Sequence, residues 1–164
     1  MAELFFDKCA TEVGVIGVLA GPAGVRRVGW RLNARGASAE PHPTVQRALS
    51  QLREYFAGER REFDLTLEWP RLEPTTAAVL RALLTVGYGE TVTYGELALR
   101  SGTGVPARAI GSIMAANPWP VVVPCHRVVA ATGLGGYSGG ERGRELETKR
   151  RLLEKEGALP PVLV

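Results

Sequence analysis

A chain of 164 residues, 45% hydrophobic and 23% charged, can bury a core as one domain or two small ones and is too apolar for a disordered segment. No apolar run reaches the roughly 18–20 residues of a membrane span. The start Met1-Ala2-Glu3-Leu4-Phe5-Phe6-Asp7 carries acids where a signal peptide carries basic residues, so a cytoplasmic protein with no membrane partner is expected. Two cysteines, Cys9 and Cys125, make no disulfide framework, and with neither C-x-x-C nor H-x-x-x-H no metal site is expected. The net charge of +3 is uneven: residues 1–74 hold ten basic and ten acidic side chains, residues 75–164 ten and seven. That excess favours a polyanionic partner for the second half.

In chain order, the β-branched run 13–19, the turn Gly21-Pro22-Ala23-Gly24 and the return 25–30 predict a hairpin. Residues 33–43 read as a loop. Val45, Leu49, Leu52 and Phe56 recur at helical spacing up to Gly58. Phe63, Leu65, Leu67 and Trp69 alternate with polar residues, which predicts a half-buried strand. The expected organisation is an α+β domain over residues 1–70, a linker at 71–74, and a mostly helical domain over 75–164.

In that second domain Val79, Leu80, Leu83 and Leu84 mark a helix that closes at Gly87-Tyr88-Gly89. Thr93 and Glu96 have capping-box spacing and open a short helix through Leu97 and Leu99. Ser101-Gly102-Thr103-Gly104 breaks it, Pro106 suits the first turn of the next helix, and Asn117-Pro118 stops that one. Two short helices about a glycine-bearing turn form a candidate helix-turn-helix. On the second, Ile110, Ile113 and Met114 form an apolar stripe, while Arg108, Gly111, Ser112 and Ala115 share another face. Small side chains plus one arginine suit close approach to a nucleic-acid backbone. They equally suit tight packing on another helix with Arg108 in solvent.

Val121-Val122-Val123 reads as a short buried strand leading into Pro124-Cys125-His126-Arg127-Val128-Val129. Cys125 beside His126 is a candidate activated thiol, because the thiolate is the nucleophile and an imidazole can take its proton. Neighbours in an extended strand point to opposite faces, so contact between the two side chains needs a kink or a bridging water. A buried structural cysteine is the alternative. The loop Gly133-Leu134-Gly135-Gly136-Tyr137-Ser138-Gly139-Gly140 could line a pocket for a flat polar ligand, and it lacks the spacing of a nucleotide-phosphate loop. A final helix carries Leu146, Leu152 and Leu153 and ends at Gly157. Glu156 in its last turn opposes the macrodipole and calls for a compensating histidine, lysine or arginine.

Arg108-Ala109-Ile110-Gly111, Asn117-Pro118, Pro124-Cys125-His126-Arg127-Val128-Val129 and Gly136-Tyr137-Ser138-Gly139-Gly140, preceded by residues 89–98, resemble the O6-alkylguanine-DNA alkyltransferases. The resemblance implies a ribonuclease-H-like first domain and a helix-turn-helix in the second. It implies a monomer that binds double-stranded DNA containing alkylated guanine through the minor groove and flips the base. It further implies irreversible, single-turnover transfer of the alkyl group from guanine O6 to Cys125 with no cofactor, and leaves O4-alkylthymine undecided as a second substrate. By resemblance His126 relays the thiol proton through a water to Glu156. Tyr94 turns the target phosphate and donates to the guanine ring, and Asn117 holds the turn into the active site. Arg108 fills the gap left by the flipped base, with Thr75, Ala107, Gly111, Ser112 and Ala115 also on DNA. Tyr137, Ser138, Val128 and Met114 surround the guanine.

The sequence departs from the family's usual pattern at Arg71-Leu72-Glu73-Pro74, and Trp119 is a bulky residue that narrows a pocket mouth or packs inside. Three rival readings are a Cys125–His126 hydrolase, a non-catalytic lesion binder, and a repair protein with a transcriptional role. A hydrolase needs an oxyanion site and repeated turnover. The binder is disfavoured because relatives of that kind lack the cysteine, and no regulatory domain is visible for the third.

Overall fold

The computed structural model describes residues 3–160, which fall into two compact units, one ending at Arg71 and the other beginning at Leu72. In the first unit, β1 (Phe5–Thr11), β2 (Gly14–Gly21) and β3 (Gly24–Gly29) form an antiparallel sheet in that order. The predicted hairpin is β2–β3, and the structure adds β1 in front of it. Gly24 closes the turn at φ 128°, where a Cβ would strike the Thr66 backbone.

Helix α1 (Pro43–Phe56) lies on the sheet through Val45, Ala48, Leu49, Leu52 and Tyr55. Tyr55, 1% exposed, takes the core position that the sequence suggested for Phe56. The imidazole of His42 caps the helix, accepting from Thr44 N–H at 3.3 Å. The strand expected over residues 63–69 does not form; only Leu67 pairs, with Val25. Gln51 holds both backbone groups of Asp64, at 3.0 and 2.9 Å, and Arg47 Nε adds 3.1 Å to the same carbonyl. Side chains of α1 thus take polar groups that a ladder would have used. Glu68 is buried there because Arg26 meets it at 2.7 Å.

The second unit contains α2 (Pro74–Leu83), β4 (Val92–Thr93), α3 (Tyr94–Ser101), α4 (Ala107–Ala115), β5 (Val128–Val129) and α5 (Glu145–Lys155). Strands β4 and β5 pair in parallel. The carboxylate of Glu73 caps α2 through the N–H groups of Thr75 and Thr76, both at 3.1 Å. The capping box of α3 is complete: Glu96 N–H to Thr93 at 3.1 Å and Thr93 N–H to Glu96 at 2.9 Å. Gly102 ends α3 in the left-handed region at φ 64°. Pro106 is the N-cap of α4 and lies just outside the first turn. Helices α2, α3 and α4 pack on one another, with Val79, Leu80, Leu83, Leu97 and Ile110 in their shared core. Leu99 and Leu146, both on predicted helices, are 83% and 54% exposed.

The largest local departure lies between α4 and β5. Val121-Val122-Val123 is buried as expected but follows a turn, with Val121 at φ 74°, an uncommon conformation for a β-branched residue. Pro118, Pro120 and Pro124 deny this segment the N–H donors of a strand. No helix among the described residues is long and apolar enough to cross a membrane.

Candidate functional site

The site is built on a stapled loop. Asn117, just past the end of α4, donates from Nδ2 to Val123 O at 2.9 Å, and its Oδ1 accepts Trp119 N–H at 3.0 Å. Trp119 is 1% exposed and packs inside instead of narrowing the cleft. The chain then tightens into a 3-10 turn, Cys125–Arg127, closed by Arg127 N–H to Pro124 O at 2.9 Å. Cys125 therefore sits in a turn and not at a strand end. The opposite-face rule for strands does not govern its relation to His126.

Cys125 reaches a small cleft of about 150 Å³ lined also by Tyr94, Gly111, Met114, Ala115, Gly136, Tyr137 and Ser138. Three elements meet there: the start of α3, one face of α4, and the glycine-rich loop. Tyr94 Oη accepts Gly136 N–H at 3.3 Å, and a Cβ on Gly135 would lie 2.8 Å from that oxygen. Glycine at 135, at φ 75°, is what lets the loop sit against the tyrosine.

Of the other residues singled out in the sequence, Arg108, Ser112 and Ala107 are exposed on α4. Ala115 is exposed as well yet lines the cleft. Ile113 and Met114 are half-buried, so Ile110 alone of the predicted stripe is fully in the core. Thr75 stands in the first turn of α2, away from the cleft lining, its N–H held by Glu73. Val128 is buried in β5 and does not line the cleft.

Behind the cysteine lies a buried polar cluster. His126 Nε2 meets Glu156 Oε2 at 2.8 Å, with both side chains fully buried, while His126 Nδ1 has no hydrogen-bond partner. Arg127 binds the same carboxylate at 2.8 and 3.0 Å. Glu156 thus has the compensating partner its position demands, twice over. Burial would raise Glu156, but the hydrogen bonds and charges of His126 and Arg127 outweigh it and hold the carboxyl at about 2. Burial pulls His126 below its usual 6.5 against the pull of Glu156, which leaves the imidazole neutral at pH 7. A carboxylate accepts only, so Nε2 carries the hydrogen and Nδ1 is a bare acceptor.

Sequence reasoning missed Lys149. It is 0% exposed and donates to Val128 O at 2.6 Å and Gly136 O at 2.8 Å. It therefore ties the strand after the cysteine to the loop that lines the cleft. Burial pushes it down to about 8, while the cysteine raises it. The signal was available: Lys149 precedes Leu152 and Leu153 by three and four, on the buried face of α5. Thr148, also buried, packs against Gly140, where a Cβ would lie 2.5 Å from its hydroxyl.

Fold and site together define a mixed α/β protein with a buried thiol at a small cleft beside α4. A family model described as 6-O-methylguanine DNA methyltransferase, DNA binding domain, matches residues 74–158. A Mycobacterium leprae protein named methylated-DNA--protein-cysteine methyltransferase is 47% identical over 131 residues, 79% of this chain and 71% of that one. A Thermus thermophilus protein named DNA base-flipping protein is 39% identical over 151 residues, 91% of this chain and 97% of that one. Mycobacterium tuberculosis OGT in complex with DNA matches with a TM-score of 0.82 at 34% identity, covering 94% of this chain and 93% of that one. The chain belongs to the O6-methylguanine DNA methyltransferase family.

Proposed function

We propose that this protein repairs DNA by direct reversal, moving a methyl or other alkyl group from guanine O6 to Cys125 in one irreversible turnover. The observation that carries this reading is the placement of Cys125 in a cleft of about 150 Å³ with His126 Nδ1 unpaired behind it. The family and its named relatives supply the substrate class.

A base atom inside a duplex is out of reach, so the nucleotide is turned out of the stack into the cleft. Helices α3 and α4 about Gly102 are read as a helix-turn-helix. The exposed face of α4 lies in the minor groove, Arg108 fills the vacated stack, and Thr75, Ala107, Ser112 and Ala115 touch the backbone. The first unit, a sheet with one helix laid on it, is read as ribonuclease-H-like. Residues 75–164 are the transfer domain and 71–74 the linker, and the protein acts as a monomer.

Within the cleft, Tyr137 and Ser138 hold the guanine and Met114 flanks it, while Asn117 keeps the thiol in line. His126 takes the thiol proton at Nδ1, through a water, with Glu156 behind it. The sulfur attacks the alkyl carbon, the carbon–O6 bond breaks, and its electron pair goes to the purine. A hydrogen bond from Tyr94 stabilises that developing charge. The thiol proton ends on the guanine ring nitrogen, so thiol and ether become thioether and restored guanine with nothing further consumed. A thioether is a poor leaving group, so each molecule acts once.

The test is intact mass after incubation with an O6-methylguanine duplex. One methyl is expected on Cys125, with product equal to the protein supplied. Cys125→Ala is expected to bind the duplex and leave the methyl in place. Transfer by that variant, or continued turnover by the wild type, sinks the reading. The Thermus relative named for base flipping favours a second reading, binding without transfer. A loaded duplex that leaves Cys125 unmodified would select it.

A further inference from the structure

Glu156 is the C-cap of α5, where the helix end already carries partial negative charge, and its carboxylate is fully buried. An ionised group there needs more than one imidazole. Arg127 supplies the rest as a fork, Nε to Oε1 at 2.8 Å and Nη2 to Oε2 at 3.0 Å. The fork is itself fixed: Nη1 donates to Val86 O at 2.7 Å, and the guanidinium carbon lies 5.9 Å from the centre of the Tyr88 ring. The Tyr88 hydroxyl in turn donates to Lys155 O at 3.2 Å, in the last turn of α5.

Resting on the transfer reading above, we infer that Arg127 is a positioning residue that sets the His126 tautomer through Glu156. Ionised Glu156 accepts only, so Nε2–H points at it and Nδ1 is left to receive the thiol proton. A neutral Glu156 would carry its own hydrogen and could donate to Nε2. The imidazole hydrogen would then sit on Nδ1, and that nitrogen could no longer act as base. Arg127 also decides where the proton stops. A carboxylate already bound by a guanidinium fork is a weak base, so during the attack the thiol proton is held on His126 as an imidazolium–carboxylate pair and does not pass to Glu156, until the guanine ring nitrogen takes it up. The other titratable groups facing this cluster are Lys149, whose charge acts on both His126 and the Cys125 thiol, and Tyr137, whose buried phenol is pushed well above 10 by burial and by Cys125 and Glu156. None of them is a carboxylate that could replace Glu156.

Two variants, Arg127→Met and Arg127→Lys, are compared with the wild type by two readouts. One is the His126 tautomer from nitrogen-15 NMR of the DNA-free protein. The other is the single-turnover rate of methyl transfer between about pH 5 and pH 9. Wild type is expected to show the Nε2–H form. Arg127→Met is expected to show the Nδ1–H form, a rate about 10–100-fold lower, and an acid limb moved to higher pH, with duplex affinity unchanged. Arg127→Lys keeps a charge without the fork and is expected to retain Nε2–H and recover most of the rate.

Retention of Nε2–H in Arg127→Met, or an unshifted acid limb, overturns the inference even if the rate falls. If Arg127→Met does not fold, Arg127→Gln, which keeps a polar side chain without the charge, takes its place, and retention of Nε2–H there overturns the inference. Wild-type protein that transfers no methyl would sink the transfer reading instead, since the tautomer is read without DNA.

Discussion

Burial pushes the Cys125 thiol up to about 11, while the Asn117 side chain and the Lys149 charge pull the other way. At neutral pH the sulfur in the DNA-free protein is therefore protonated, and its reactivity depends on a base acting as the substrate arrives. Alkylation of Cys125 by iodoacetamide should rise continuously through pH 9, reported by peptide mass. A plateau near pH 7 would mean a standing thiolate and would remove the need for His126 as base. Pro124-Cys125-His126 is visible as a reactive segment because the two groups are adjacent in the chain. Adjacency by itself says nothing of Glu156, 30 positions on, to which His126 turns its Nε2; that pairing was expected from the family resemblance and from the place of Glu156 at its helix end. Lys149, by contrast, was hidden. A lysine on an apolar helix face usually extends its stem to water, and only two inward carbonyls explain its full burial here.

The helices were legible where local chemistry decides structure. The capping box at Thr93 and Glu96, the glycine stop at 102 and the Asn117-Pro118 boundary each rest on residues within a few positions of one another. The strands were less so. Residues 63–69 alternate as a strand does, but Gln51 and Arg47 take their backbone groups, and Val121 turns the run before Cys125. β1 was overlooked because Asp7 and Lys8 interrupt its apolar pattern; Gln46 of α1 satisfies the acid at 3.1 Å. Helix α4 carries a prediction of its own. If Arg108 substitutes for a flipped base, it matters only where a partner strand leaves a gap. Arg108→Ala should therefore slow methyl transfer from a duplex by about tenfold or more, a loss of ~1.4 kcal/mol, and leave transfer from a single-stranded oligonucleotide nearly unchanged. Equal losses on both substrates would make Arg108 a plain phosphate contact.

For the molecule as a whole, the buried cluster couples stability to acid. Glu156 is held at about 2 in the folded state against an ordinary 4.5, so its contribution is complete above 4.5 and is lost as pH falls towards 2. His126 acts in the same direction: burial lowers it, so acidification below 6.5 favours the unfolded chain, where the imidazole protonates freely. Thermal unfolding between pH 7 and pH 3 should show a Tm that falls with pH, most steeply below about 4.5. Glu156→Gln should be less stable at pH 7 and show a shallower fall. A variant with the same slope as wild type would remove Glu156 from the acid response.

The sequence by itself determined what depends on near neighbours: the caps and stops of the helices, the face that Arg108 shares with small residues, and the reactive Pro-Cys-His-Arg run. These are set within one or two turns of chain, where backbone hydrogen bonds and side-chain spacing leave few alternatives. Tertiary structure alone decided which polar atoms are sealed together. It made the cysteine segment a buried turn and set Arg127 and His126 on one carboxylate at the end of α5. It also carried the Lys149 charge to the carbonyls of Val128 and Gly136. Such contacts join residues far apart in the chain. They form because burial leaves each charge no water and so forces it onto whatever partner the packing brings within reach.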